Sequence, residues 1–173
     1  MINVKAKKKK KKTVRLILGD QLNINHSWFQ TIDESITYVL MEIRSETDYA
    51  THHIQKIVGF FSAMRNFASE LQSKNHQVVY YKLNDENNLQ AFDKNIKQLI
   101  DKKDFTHFEY QIPDEYRLDE VLKNFCETLS ITSSVVDSEH FMSSRSELGD
   151  FFEGKKTFLM ESFYQKKKKK HNV

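Results

Sequence analysis

Asp20 and Gln21 stand directly after Gly19, at the end of the apolar run Leu16-Ile17-Leu18. A carboxylate and a carboxamide there offer acceptors and donors to the edge of a heterocycle or to a hydroxylated chain. Gly19 has no Cβ, so a flat ligand can approach the backbone closely. A second group follows the next apolar run, ITYVLMEI (36–43): Met41 and Glu42, then Glu46 and Tyr49. Glu46 can accept from ring N–H groups, and Tyr49 can stack on a ring face while presenting its hydroxyl. A plainer reading stands beside this one. Gly-Asp-Gln is also turn chemistry, with Asp20 capping the next segment. Glu46 and Asp48 are also first-turn acids set against the dipole of a following helix.

Other chemistries find less support. No G-x-G-x-x-G follows the first apolar run and no G-x-x-x-x-G-K-[ST] occurs, so a dinucleotide pyrophosphate is not expected. Neighbouring His52 and His53 in THHIQK point about 100° apart on a helix and form no H-x-x-x-H pair, which makes surface or interface histidines the better reading than a metal site. Lys56 lies one turn after His52 on the same helix face. Asp20, Glu46 and His52 have no spacing that favours a hydrolase, and no nucleophile elbow is present. No residue is assigned a catalytic role, and no metal is expected. The single cysteine, Cys126, excludes an intrachain disulfide or a cysteine-based cluster and reads as a small core residue in a reducing compartment.

The elements that must position these residues are visible as hydrophobic periodicities. TVRLILGD (13–20), ITYVLMEI (36–43), QVVYYKL (77–83), THFEYQI (106–112) and TSSVVDS (132–138) read as strands. From about Asp48 to Ser73 the apolar residues step by three and four, from Ile54 through Ile57, Phe61, Met64 and Phe67 to Leu71, and Asn75-His76 closes that helix. Helices are also expected over 89–103 and 114–130, and a last one near 156–170. Strands alternating with long helices imply right-handed crossovers and a parallel sheet. The expected fold is α/β, a Rossmann-like five-stranded parallel sheet with helices on both faces. In such sheets ligands bind outside the carboxyl ends of the strands, where Asp20 and Glu46 fall.

Charge is distributed unevenly. Twelve of the 27 basic residues are Lys5, Lys7–Lys12 and Lys166–Lys170, so the remaining 15 face 24 acidic residues, a balance of −9 for the body. A nucleic-acid-binding domain normally carries its basic footprint on the folded body. DNA contact through this chain is therefore expected only weakly, through the lysine runs. No stretch approaches 18 apolar residues, so no membrane span is expected, and no apolar segment follows the N-terminal lysines as in a secretory signal. A cytoplasmic location follows as the expectation. The domains expected are a basic tail over 1–12, the Rossmann-like domain over 13–155 and a C-terminal helix or linker over 156–173.

LILGDQL (16–22), VLMEIRSETDYATHHIQKI (39–57) and FFSAMRNFASEL (60–71) together resemble the N-terminal domain of the deoxyribodipyrimidine photolyase-related proteins, the iron–sulfur (6-4) photolyase branch of the cryptochrome/photolyase family. FMSSRSEL (141–148) and LMESFYQKKKKKHNV (159–173) resemble the end of that domain, so the likeness spans about residues 13–173. It implies a crevice for an antenna chromophore, 6,7-dimethyl-8-ribityllumazine, held by Gly19, Asp20, Gln21, Met41, Glu46 and Tyr49. It also implies that Phe60 closes the site against a folate-type antenna. HHIQK departs from the more basic form usual in the family. FAD, four cluster-ligating cysteines and the lesion pocket belong in that family to a C-terminal helical domain of which this chain contains nothing. The resemblance therefore implies an antenna domain that works with an FAD-binding partner, in cis or in trans. Two rivals remain: a non-enzymatic docking module with an empty crevice, and a flavodoxin-like redox carrier, which the acids near the crevice disfavour.

Overall fold

The computed structural model describes residues 11–48 and 50–172. Most of the basic run expected as an N-terminal tail, and Tyr49, lie outside the described residues. One compact unit runs to Ser138 and a second begins at Glu139.

The first unit is built on five strands: β1 (Thr13–Leu16), β2 (Ile36–Met41), β3 (Gln77–Tyr81), β4 (His107–Gln111) and β5 (Thr132–Val136). They form one all-parallel sheet in the order β3-β2-β1-β4-β5. β1 lies at the centre, with Leu16 opposite Val39 on one side and Tyr110 on the other. The expected α/β architecture is thus the observed one.

Near-continuous apolar strands need cover on both faces, because alternate side chains point to opposite sides. Val14, Leu16, Leu18, Val39, Met41 and Phe108 pack with α3 (Phe92–Lys103) and α4 (Tyr116–Thr128) through Ile96, Leu99, Leu122 and Phe125. Cys126 is half-buried against this cluster. Ile17, Tyr38 and Leu40 face the other way, under α2 (Ile54–Ser73) and a single 3-10 turn, Ser27–Phe29. Burying such side chains contributes roughly 1.5–3 kcal/mol each, before the entropy of ordering them.

The long helix begins later than the sequence reading placed it. Residues 44–47 form a separate turn, α1 (Arg44–Thr47), and α2 starts at Ile54, with His53 Nδ1 accepting from the Gln55 N–H at 3.2 Å. The reason is in the pattern itself, since the three-and-four apolar period starts only at Ile54. No acidic residue lies in the first turn of α2, so Glu46 and Asp48 are not first-turn acids of that helix. At its other end Asn75 takes a left-handed conformation (φ 66°) and the His76 N–H returns to the Leu71 carbonyl at 3.0 Å. Asparagine tolerates that conformation, so the helix stops where expected.

Charged residues sit in the sheet and at its edge because partners meet them there. Arg15 donates to Glu109 on β4 at 2.6 Å and to the Tyr38 hydroxyl on β2 at 3.2 Å, its guanidinium 4.7 Å from the Trp28 ring centroid. Glu42, just past β2, binds Arg65 of α2 through both carboxylate oxygens at 2.6 and 2.8 Å. Tyr80 and the Leu83 N–H complete its shell at 2.8 and 2.9 Å. This pins α2 to the strand ends.

The second unit holds α5 (Glu147–Phe152) and α6 (Met160–His171). Phe151, Phe152, Phe158 and Phe163 meet edge-on at centroid distances of 4.8–5.4 Å. Lys167 and Lys170 close on Glu147 at 2.8 and 3.3 Å and draw its carboxyl down to about 2. The lysine run 166–170 is thus the last part of a helix. Among the described residues no helix is long and apolar enough to cross a membrane.

Candidate functional site

The sheet order creates a switch point at β1, because the chain leaves it on one side through β2 and β3 and returns on the other as β4. Loops that diverge in this way leave a crevice outside the carboxyl ends of the strands. A cavity of about 220 Å³ lies there. Its walls are Ile17, Leu18, Gly19 and Asp20 after β1, and Met41, Ile43, Glu46 and Thr47 from β2 into α1. His52, Lys56, Ile57, Phe60, Phe61 and Met64 come from the start of α2, Phe92 from α3, and Pro113, Glu115 and Leu118 from the β4–α4 junction. The lining is mostly apolar, with ionisable groups gathered among it.

Of the residues predicted from sequence, the fold brings together Gly19, Asp20, Met41, Glu46 and Phe60. Gln21 is not a wall residue. It is 1% exposed; its Oε1 accepts from the Leu18 N–H at 3.2 Å and its Nε2 donates to the Gln111 carbonyl at 3.1 Å. Both ends of the carboxamide join the end of β1 to that of β4, so it braces the crevice floor. Tyr49 lies outside the described residues. Packing supplies a reason of its own for glycine at position 19. A Cβ there would collide with the Phe60 ring and stand 3.0 Å from Met64 Sδ, so it is the Phe60 ring that approaches the backbone.

Glu46 is the electrostatic centre. Burial raises its pKa above the ordinary value and Arg117 pulls it back, while Glu115 and Asp20 add to the rise. Its Oε1 is 3.4 Å from Arg117 Nη2, a long contact, whereas Arg117 Nε holds Glu115 at 2.7 Å. Lys56 Nζ lies 3.3 Å from His52 Nδ1, but His52 precedes the N-cap of α2, so the two are not same-face residues of one helix as the sequence reading had them. The site therefore contains cations that the residues after the first two strands did not reveal. Pro113, Glu115 and Arg117 were missed although a signal existed: the carboxyl-end rule applies equally to β4, which IPDEYR follows directly.

This arrangement is suited to binding. Apolar walls would hold a ring, and Asp20 and Glu46 would accept hydrogen bonds from its edge or from hydroxyl groups. Among the described residues no three His, Cys, Asp or Glu side chains group as a metal site.

Comparison with known proteins agrees with this architecture. The family model for deoxyribodipyrimidine photo-lyase-related protein matches residues 15–173. A curated relative, the (6-4) photolyase of Agrobacterium fabrum (strain C58 / ATCC 33970), is 33% identical over 156 residues, which cover 90% of this chain and 31% of that protein. The chain thus spans about a third of the length of the curated relative it matches. With nearly all of its length accounted for by one family model, the chain belongs to the deoxyribodipyrimidine photo-lyase-related protein family.

Proposed function

We propose that this domain binds 6,7-dimethyl-8-ribityllumazine as a light-harvesting antenna and passes excitation to a flavin on an FAD-binding photolyase domain, in cis or in trans. The observation that carries the reading is the cavity at the switch point, apolar in its walls and supplied with carboxylate acceptors. Its volume of about 220 Å³ is small beside the roughly 300–1,000 Å³ typical of drug-sized ligands, which suits a two-ring heterocycle and not a dinucleotide. Met41, Ile43, Phe61 and Met64 would pack on the ring. Asp20 and Glu46 would accept from its N–H groups and the ribityl hydroxyls. Tyr49 remains a proposed ring contact. The chromophore would supply absorption at wavelengths where the flavin is weak, and the protein's part is to hold it rigid and dry.

In this reading FAD, the iron–sulfur cluster and the DNA lesion belong to the partner domain, and the chain alone repairs nothing. Any DNA contact of its own is weak and made through the lysine runs. The single cysteine suits a reducing cytoplasm.

The test is an absorption and fluorescence spectrum of the purified protein, with mass analysis of whatever denaturation releases. A violet-absorbing compound with the mass of a ribityllumazine is expected, and Glu46→Ala and Tyr49→Ala should weaken its binding. A colourless protein that also ignores added lumazine would sink the reading and favour a docking module with an empty crevice.

A further inference from the structure

Charged groups from three elements meet at the cavity. Arg117, in the first turn of α4, donates through Nε to Glu115 Oε1 at 2.7 Å and through Nη2 to Glu115 Oε2 at 3.2 Å. The same Nη2 reaches Glu46 Oε1 only at 3.4 Å. Glu115 and Glu46 both line the cavity. A guanidinium fork fits a carboxylate or a phosphate equally well, and here the Glu115 carboxylate fills it on the side of Nε.

Resting on the chromophore reading above, we propose that Glu115 and Arg117 are specificity-determining residues that make the site prefer an unphosphorylated, polyol-bearing heterocycle over its phosphate ester. Glu115 occupies the cation that a phosphate would take. Glu46, whose carboxylate makes one long contact among the described residues, keeps acceptor capacity for hydroxyl and ring N–H donors. The remaining charges act in the same sense. Asp20, Glu46 and Glu115 are three carboxylates on the wall, against the one wall cation among the described residues, Lys56, which is set toward His52; Arg117 is not a wall residue and acts through its contacts with Glu115 and Glu46. The starts of α2 and α4 would by themselves attract an anion, and these acids answer that field.

The experiment titrates the full chain with 6,7-dimethyl-8-ribityllumazine and with its 5′-phosphate, following fluorescence. Glu115 and Arg117 are both exposed, so their variants should melt with the parent. The parent should bind the unphosphorylated compound at least about tenfold more tightly, and Glu115→Gln should shrink that preference about tenfold, chiefly by tightening the phosphate ester. Adding Arg117→Gln to Glu115→Gln should restore the parental preference, because the cation that Glu115 no longer neutralises is gone. An unchanged ratio in Glu115→Gln, or one indifferent to Arg117→Gln, overturns the proposal. A parent that binds both compounds alike overturns this proposal alone. A parent that binds neither overturns the chromophore reading and this one with it.

Discussion

Glu42→Gln tests how α2 is held over the strand ends, and therefore what keeps Phe60, Phe61 and Met64 in the cavity wall. The Glu42 side chain is fully buried, whereas that of Arg65 is 51% exposed. Oε1 accepts from Arg65 Nε and the Tyr80 hydroxyl, and Oε2 from Arg65 Nη2 and the Leu83 N–H. All four partners are donors, which a carboxylate satisfies and a carboxamide cannot. An amide nitrogen at the Oε2 position would face two N–H groups. At the Oε1 position the Tyr80 hydroxyl can turn and accept, leaving only Arg65 Nε opposed. The variant thus loses one charge-assisted hydrogen bond and the ion pair, while the half-exposed Arg65 regains water. We expect a loss of about 2–3 kcal/mol at neutral pH, below the roughly 3–5 kcal/mol of a broken pair with both partners buried.

The pH dependence follows from the same shell. Burial alone would raise the Glu42 pKa, but Arg65, the Leu83 N–H and Tyr80 outweigh it and the net shift is downward. A carboxylate with a depressed folded pKa contributes stability that is fully present above its unfolded value of about 4.3 and is lost as pH falls through the folded value. The gap between parent and variant should therefore hold from neutral pH to about 5 and close below about 4. Urea denaturation followed by circular dichroism across this range measures it. A deficit under about 1 kcal/mol at neutral pH, or one that persists unchanged in acid, would refute the reasoning.

Other substitutions test the site itself. Gly19→Ala should displace the Phe60 ring and lower lumazine affinity; Phe60→Ala should relieve the clash, so a double-mutant cycle should give a coupling of about 1 kcal/mol, and simple additivity would count against the contact. Gln21→Leu leaves the Leu18 N–H and the Gln111 carbonyl without this partner, so chemical denaturation should show a loss of about 2–3 kcal/mol, while the fraction that stays folded binds lumazine normally. For Glu46, burial raises the pKa against the pull of Arg117, so the folded protein holds that proton more tightly and loses stability as pH rises from about 4.3 through the folded value. Glu46→Gln should then be as stable as the parent or more so at neutral pH, yet bind lumazine about tenfold more weakly; melting curves and titrations showing a parallel fall in both would contradict this.

The sequence by itself determined the elements and their class. Apolar runs such as TVRLIL and ITYVLM, set between helices with apolar stripes, can bury their surface only as parallel strands covered on both faces; β1 and β2 are buried in this way, while the edge strand β5 of the five-stranded sheet stays largely exposed. It also placed Asp20 and Glu46 at carboxyl ends, because strand direction follows from chain order once the sheet is parallel. The start of α2 was legible too, had the apolar period been followed strictly from Ile54.

Tertiary structure decided which distant residues share the crevice. Periodicity describes each segment against an unspecified core and carries nothing about which strand lies beside β1. The pairing of β1 with β4 brings the β4–α4 junction, residues 113–118, to the crevice beside α1, and so gives Glu46 its partner Arg117 from 71 positions away. The same pairing gives the Gln21 carboxamide a carbonyl to bind 90 residues on, which turns it from the wall into the floor. Gly19 was legible as a close approach, but only packing showed that the approaching group is the Phe60 ring. Local pattern fixes which side chains must be buried; the partner each finds there depends on contacts far apart in the chain.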